Sequence, residues 1–161
     1  MAKVLVGYIT KTDTTKEIAE KIAAVLIMKG IDAQARGFQD VENPEDYEVI
    51  IAGAPINGMR VVPELTDYLK ARPEAVQRVN AVFAVSYMVK HARKAWQNSI
   101  RKSLQSIKDE YNAEHSAVFG GRVAEEMPGF ARFIFGLPKG MPKDTRDWAE
   151  IEAWAKKLYV E

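Results

Sequence analysis

The sequence predicts a doubly wound α/β domain, a five-stranded parallel sheet with helices on both faces, and three observations predict it. Short continuous apolar runs recur along the chain, each too short for a helix of ordinary length. Segments with apolar residues at helical spacing lie between them. The two kinds of segment alternate from one end to the other, as a parallel sheet wound by crossover helices requires.

The elements follow in chain order. Val4–Ile9 is the first strand run. Ile18, Ile22, Val25 and Leu26 then share one helical face, and Gly30 supplies the stop. Ile31–Arg36 alternates apolar and polar, which predicts a more exposed edge strand. Val49–Ala54 is a second continuous run, followed by a helix carrying Val62, Leu65 and Leu69 with Pro63 in its first turn. Ala81–Val85 precedes a longer helix marked by Trp96, Ile100, Leu104, Ile107 and Tyr111. Ala117–Phe119 is the last strand, and Trp148, Ile151, Trp154 and Leu158 mark the last helix. Continuous runs rich in β-branched residues suit strands covered on both faces. Trp96, Trp148 and Trp154, on apolar helical faces, are expected in the core. Gly120–Thr145 holds five of the ten glycines and three of the seven prolines, the composition of an insertion. Residues 1–161 are read as one domain with an insertion at about 120–145.

Composition narrows the function. Twenty-three Lys and Arg against 22 Asp and Glu leave a net charge of +1, too weak a field to recruit nucleic acid. The absence of cysteine excludes disulfides, thiolate metal sites and cysteine nucleophiles. Redox chemistry here needs a bound cofactor. His91 and His115 are too far apart in sequence for a metal motif and form no Ser/His/Asp set. His91 reads as a solvated helix start and His115 as a loop residue before the last strand. No residue stands out as a catalytic acid or base. No apolar run reaches the roughly 18 residues of a membrane span. Met1-Ala2-Lys3 leads into a strand without the apolar core of a signal peptide. A cytoplasmic location is expected.

The segment that carries chemistry is Thr10-Lys11-Thr12-Asp13-Thr14-Thr15. It follows a buried strand and opens a helix. Four hydroxyls and an ammonium meet there, where free N–H groups and the positive helix end favour an anion. A helix cap alone is the other reading, but a cap needs one hydroxyl rather than four. Neither the Gly-Lys-Thr of a nucleoside-triphosphate loop nor the glycine-rich dinucleotide fingerprint is present. The segment resembles the Thr/Ser-x-Thr-Gly-x-Thr phosphate loop of the flavodoxins, with Asp13 where that family usually has Gly. Asp tolerates positive φ better than most residues.

The resemblance implies a flavodoxin-like strand order, 2-1-3-4-5, and flavin mononucleotide (FMN) as cofactor. It implies that Thr10, Lys11, Thr12, Asp13, Thr14 and Thr15 surround the phosphate. Ala54, Pro55, Ile56, Asn57 and Gly58 match the first ring-flanking loop, with a simple Gly/Pro/Asn turn as the lesser alternative. Ser86, Tyr87 and Met88 match the second, where Tyr87 is either a stacking residue or a strand-end tyrosine. All three segments follow strand carboxyl ends, where open α/β sheets bind ligands.

Within that group the chain resembles the flavodoxin-type protoporphyrinogen dehydrogenases, which use menaquinone. The residues concerned are Thr15-Lys16-Glu17-Ile18-Ala19, the insertion, and Lys143-Asp144-Thr145-Arg146-Asp147-Trp148 at its exit. Electron-carrier flavodoxins are typically acidic, whereas this chain is nearly neutral. In the insertion, Phe130, Phe133, Ile134 and Leu137 fall at helical spacing beside Arg132 and Lys139. That stripe suits a quinone tail or a membrane surface at the inner face, or else a helix that closes the core or meets a subunit. Three functions remain open: a dehydrogenase passing electrons from a porphyrinogen-like substrate to a quinone, a carrier between redox donor and acceptor proteins, and a flavin-free interaction module.

Overall fold

A computed structural model of the chain describes residues 3–123, 125 and 127–158. Met1 and Ala2, and residues 124 and 126 of the insertion, lie outside the described residues. Five parallel strands form the sheet: β1 (Lys3–Tyr8), β2 (Asp32–Gly37), β3 (Val49–Asn57), β5 (Val79–Val85) and β6 (His115–Phe119). Their order is β2-β1-β3-β5-β6, and the two-residue β4 (Arg60–Val61) pairs antiparallel with the end of β3. The expected five-strand order therefore holds, with one short strand added.

The strand runs are apolar throughout because alternate residues feed two cores. On one face Val4, Val6, Ile51, Ala81, Phe83, Val85 and Phe119 pack against α1 (Thr14–Met28) and α6 (Trp148–Lys157). On the other, Leu5, Ile50, Ala52, Ala54, Val82, Ala84 and Val118 pack against α2 (Pro63–Lys70) and α4 (Lys94–Glu110). A short helix, α3 (Pro73–Val76), follows α2. Gly53 faces the first core, where the Phe83 ring fills its place. A Cβ there would stand 2.0 Å from Phe83 Cζ.

Three expectations need correction. His115 is not a loop residue: it begins β6 and pairs with Ala81. The polar start of this edge strand hid it from a search for apolar runs. The tryptophans are not core residues. Trp148 is 38% exposed, while Trp96 and Trp154 are half-buried. Trp154 edges onto Phe83 and Phe119 from the rim of the core. Leu137 leaves the predicted stripe, because α5 (Gly129–Phe135) stops at Gly136 with φ 70° and Leu137 turns inward.

The 120–145 segment, read above as an insertion, closes at its root and docks at its tip. Val123 N–H donates to Lys143 C=O at 2.9 Å and Thr145 N–H to Gly121 C=O at 2.8 Å. At the tip, the free carbonyls that end α5 meet donors from the start of α4. Arg93 N–H donates to Phe135, Arg93 Nη2 to Phe133, and Trp96 Nε1 to Ile134. Phe130, Phe133 and Ile134 stay exposed.

Candidate cofactor-binding site

The chain runs from β1 out to edge strand β2 and then returns to the other side of β1 for β3. Strand order reverses there, and the carboxyl ends of β1 and β3 diverge into opposite helices to leave a crevice. The Thr10–Thr15 segment leaves β1 at this crevice and Pro55–Gly58 lies at the end of β3. A groove of about 490 Å³ lies across them, within the range of roughly 300–1,000 Å³ usual for small-molecule sites.

One wall is the start of α1. Asp13 precedes the helix in the left-handed conformation, φ 60°, with its side chain exposed and capping nothing. The first helical bond runs from Glu17 N–H to Asp13 C=O at 3.0 Å. The amides of Thr14, Thr15 and Lys16 therefore have no partner within the helix. Lys11, Thr12, Thr14 and Thr15 line the groove. The hydroxyls of Thr12 and Thr14 lie 3.2 Å apart. Thr10 is not among the residues that line the groove; its Oγ1 is buried and meets no partner among the described residues. A buried hydroxyl without a partner costs free energy that an anionic oxygen would recover. This wall fits an ester phosphate by its donors: threonine hydroxyls and backbone amides at a positive helix end. Lys11 contributes less charge than its place suggests, because its ammonium pairs with Glu64 at 3.0 Å.

The second wall is the end of β3. Pro55, Ile56 and Asn57 line the groove, while Ala54 is buried behind them. β3 and β4 form a hairpin in which Ile56 pairs with Val61 and Asn57 with Arg60. Gly58 and Met59 make its two-residue turn with φ 60° and 66°, the pattern of a type I′ turn. Gly58 thus sits at the tip, on the side facing α4 rather than in the groove. Asn-Gly occupies the positions one residue early for such a turn, so Met59 takes a conformation usually left to glycine. The hairpin escaped sequence reading because a two-residue strand has no periodicity to detect.

The third wall joins the end of β5 to the root of the insertion. Val85, Tyr87, Gly121, Arg122 and Val123 line it, while Ser86 is buried and Met88 half-buried outside the lining. The Tyr87 hydroxyl donates to Pro142 C=O. Thr145 Oγ1 lies 2.8 Å from Tyr87 C=O and 3.0 Å from Gly121 C=O, and accepts from Gly121 N–H at 3.1 Å. One threonine thus ties Tyr87 to Gly121. Its neighbour Gly120 has no room for a side chain, since a Cβ would stand 2.2 Å from Thr145 O. Arg122, Val123 and Thr145 were not foreseen as site residues. Thr145 lies in the Asp-Thr-Arg motif, whereas Arg122 and Val123 had no signal beyond their place in the 120–145 segment.

Arginines secure the joint between this wall and the first. Arg146, with a side chain 5% exposed, donates to both carboxylate oxygens of Asp144 and to Glu17 Oε1 at 2.9 Å. These bonds hold the Asp144 carboxyl below its ordinary pKa and raise that of Arg146. Arg122 Nη1 approaches the same Glu17 oxygen at 3.3 Å. Among the described residues no group of His, Asp and Glu could hold a metal ion.

Comparisons with known proteins agree with this architecture. No curated protein matches the sequence. A short-chain flavodoxin associated with a non-canonical PDU bacterial microcompartment superposes with a TM-score of 0.62 at 11% identity, covering 97% of this chain and 95% of that one. The flavodoxin of Streptococcus pneumonia gives 0.58 at 17% identity, covering 98% and 97%. Oxidised flavodoxin 1 from Bacillus cereus gives 0.56 at 16% identity, covering 98% and 100%. At these identities the likeness is one of fold. The family model described as Flavodoxin domain matches residues 5–148, most of the chain. The chain therefore belongs to the flavodoxin domain family.

Proposed function

We propose that the chain binds FMN in the groove between β1 and β3 and works as a flavin-dependent redox protein. The observation that carries this reading is the start of α1. The hydroxyl-bearing Thr12, Thr14 and Thr15 line a groove of ligand size at the unpaired first amides of the helix, and the buried Thr10 hydroxyl just before them in the chain has no partner among the described residues. Thr10, Thr12, Thr14 and Thr15 with the first-turn amides would hold the phosphate. Pro55, Ile56 and Asn57 on one side and Tyr87 on the other would flank the ring. The flavin, when bound, supplies reversible acceptance of electrons that no side chain here can provide. The protein's own part is to fix the phosphate, exclude water from the ring with Ile56, Val62 and Val85, and hold Tyr87 in place through Thr145.

The membership supports an electron carrier between a redox donor and an acceptor. A second reading, a dehydrogenase passing electrons from a porphyrinogen-like substrate to a quinone, is favoured by the exposed apolar side of α5. Phe130, Phe133 and Ile134 are 71%, 77% and 50% exposed, on the insertion that forms the third wall. Apolar side chains flanked by Arg132 suit a quinone or the inner face of a membrane better than a charged protein patch. No described helix is long and apolar enough to cross a membrane, so such contact would be peripheral.

An absorption spectrum of the purified protein, with cofactor extraction, tests the reading. Flavin bands and extracted FMN are expected. A colourless protein that takes up no added FMN would leave only the interaction-module reading. Turnover of protoporphyrinogen with a menaquinone analogue would favour the dehydrogenase. Rapid electron exchange with a flavodoxin reductase, without such turnover, would favour the carrier.

A further inference from the structure

We infer that Arg122, at the root of the insertion, is the phosphate-recognising cation of this site, held in reserve by Glu17. The inference rests on the flavin reading above. Arg122 lines the groove beside Thr12, Thr14 and Thr15, and its carbonyl accepts from Thr14 Oγ1 at 3.4 Å. Its guanidinium lies 3.3 Å from Glu17 Oε1. Glu17 follows Thr14 by three residues, so both project from one side of α1 within a single 5.4 Å turn. That is a short swing for an arginine side chain.

Glu17 does not need Arg122. The same oxygen already accepts from Arg146 at 2.9 Å. Arg146 is 5% exposed and also bound to both Asp144 oxygens, so it stays. The Arg122 side chain is 42% exposed, and among the described residues its one ion pair is with Glu17, with a weaker attraction to Asp144, which Arg146 already holds. When it departs, no carboxylate is left unpaired. Among the described residues that line the groove, Lys11 is the one other cation. Lys11 is engaged by Glu64, and Asp13 adds a negative charge to the loop. A phosphate monoester carries about −1.5 to −2 charges at neutral pH and accepts two parallel bonds from a guanidinium. It therefore draws Arg122 more strongly than a carboxylate it shares with Arg146.

Titration of flavin-free protein with FMN and with riboflavin, followed by flavin fluorescence, tests this. In Arg122→Ala, FMN binding is expected to weaken by about tenfold or more, the loss of a charge-assisted hydrogen bond, with riboflavin binding unchanged. In Glu17→Gln, whose amide oxygen still accepts from Arg146, FMN should bind several-fold more tightly and riboflavin as before. Equal weakening of both flavins in Arg122→Ala, or no change in either, overturns the inference while leaving the cofactor reading intact. So does weaker FMN binding in Glu17→Gln, which would make the ion pair a structural clasp. Wild-type protein that binds neither flavin overturns both.

Discussion

At Asp13 the backbone turns through φ 60° where a glycine would be at ease. A left-handed turn costs an L-residue roughly 1–2 kcal/mol, less for Asp than for most. Asp13→Gly is therefore expected to stabilise the fold by a few tenths to about 1 kcal/mol, raising Tm by up to about 3 °C, and to tighten FMN binding by removing a like charge. Calorimetry and flavin titration read the two effects separately, and a fall in Tm would contradict the first. Thr10→Val tests the buried hydroxyl. It should leave stability unchanged or slightly raised, since the hydroxyl lacks a partner, yet weaken FMN binding by about tenfold or more. The threonine cluster was legible because four hydroxyls in six residues exceed what a cap needs. The pairing of Lys11 with Glu64 was not, because it depends on where the start of α2 falls in space.

Between β3 and β5, the Phe83 ring leaves no room for a side chain at Gly53. Gly53→Ala forces that ring aside and is expected to cost about 1–3 kcal/mol in urea unfolding. A neutral result would show that the ring is free to move. The insertion root makes a prediction about pH. Asp144 titrates below its ordinary value of 3.8 because Arg146 donates to it. Its contribution to stability is thus fully present above 3.8 and disappears as pH falls through the lower folded value. Wild type should exceed Asp144→Asn in stability at about pH 6, and the gap should narrow on acidification below about pH 4. A constant gap would contradict the account. The long elements were legible because continuous apolar runs and helical stripes need many residues to coincide. The hairpin β4, the clasp of Val123 with Lys143 and the polar start of β6 were not. Each is made by a few backbone hydrogen bonds between segments that carry no period.

Over the whole molecule, a net charge of +1 gives little long-range steering, so contacts with partners fall to local surface chemistry. Exposed apolar side chains lie at the end of α1, Ile27 and Met28, and on α5, where Phe130, Phe133 and Ile134 stand together. If α5 rests on a membrane, Phe130→Ser with Phe133→Ser should reduce co-sedimentation with anionic vesicles several-fold without altering flavin uptake. Unchanged sedimentation would remove the peripheral-membrane reading and favour the carrier. The parallel order of the sheet followed from the chain's alternation and its resemblance to flavodoxins. The outward face of the insertion did not, because helical spacing alone says that Phe130, Phe133, Ile134 and Leu137 share a stripe and not which way it points.

Flavin-free protein titrated with FMN tests the central claim most directly. The account predicts saturable quenching of flavin fluorescence at one FMN per chain, lost progressively as Thr10, Thr12 and Thr15 are replaced by valine. FMN that remains fully fluorescent, or binding indifferent to those threonines, would contradict it.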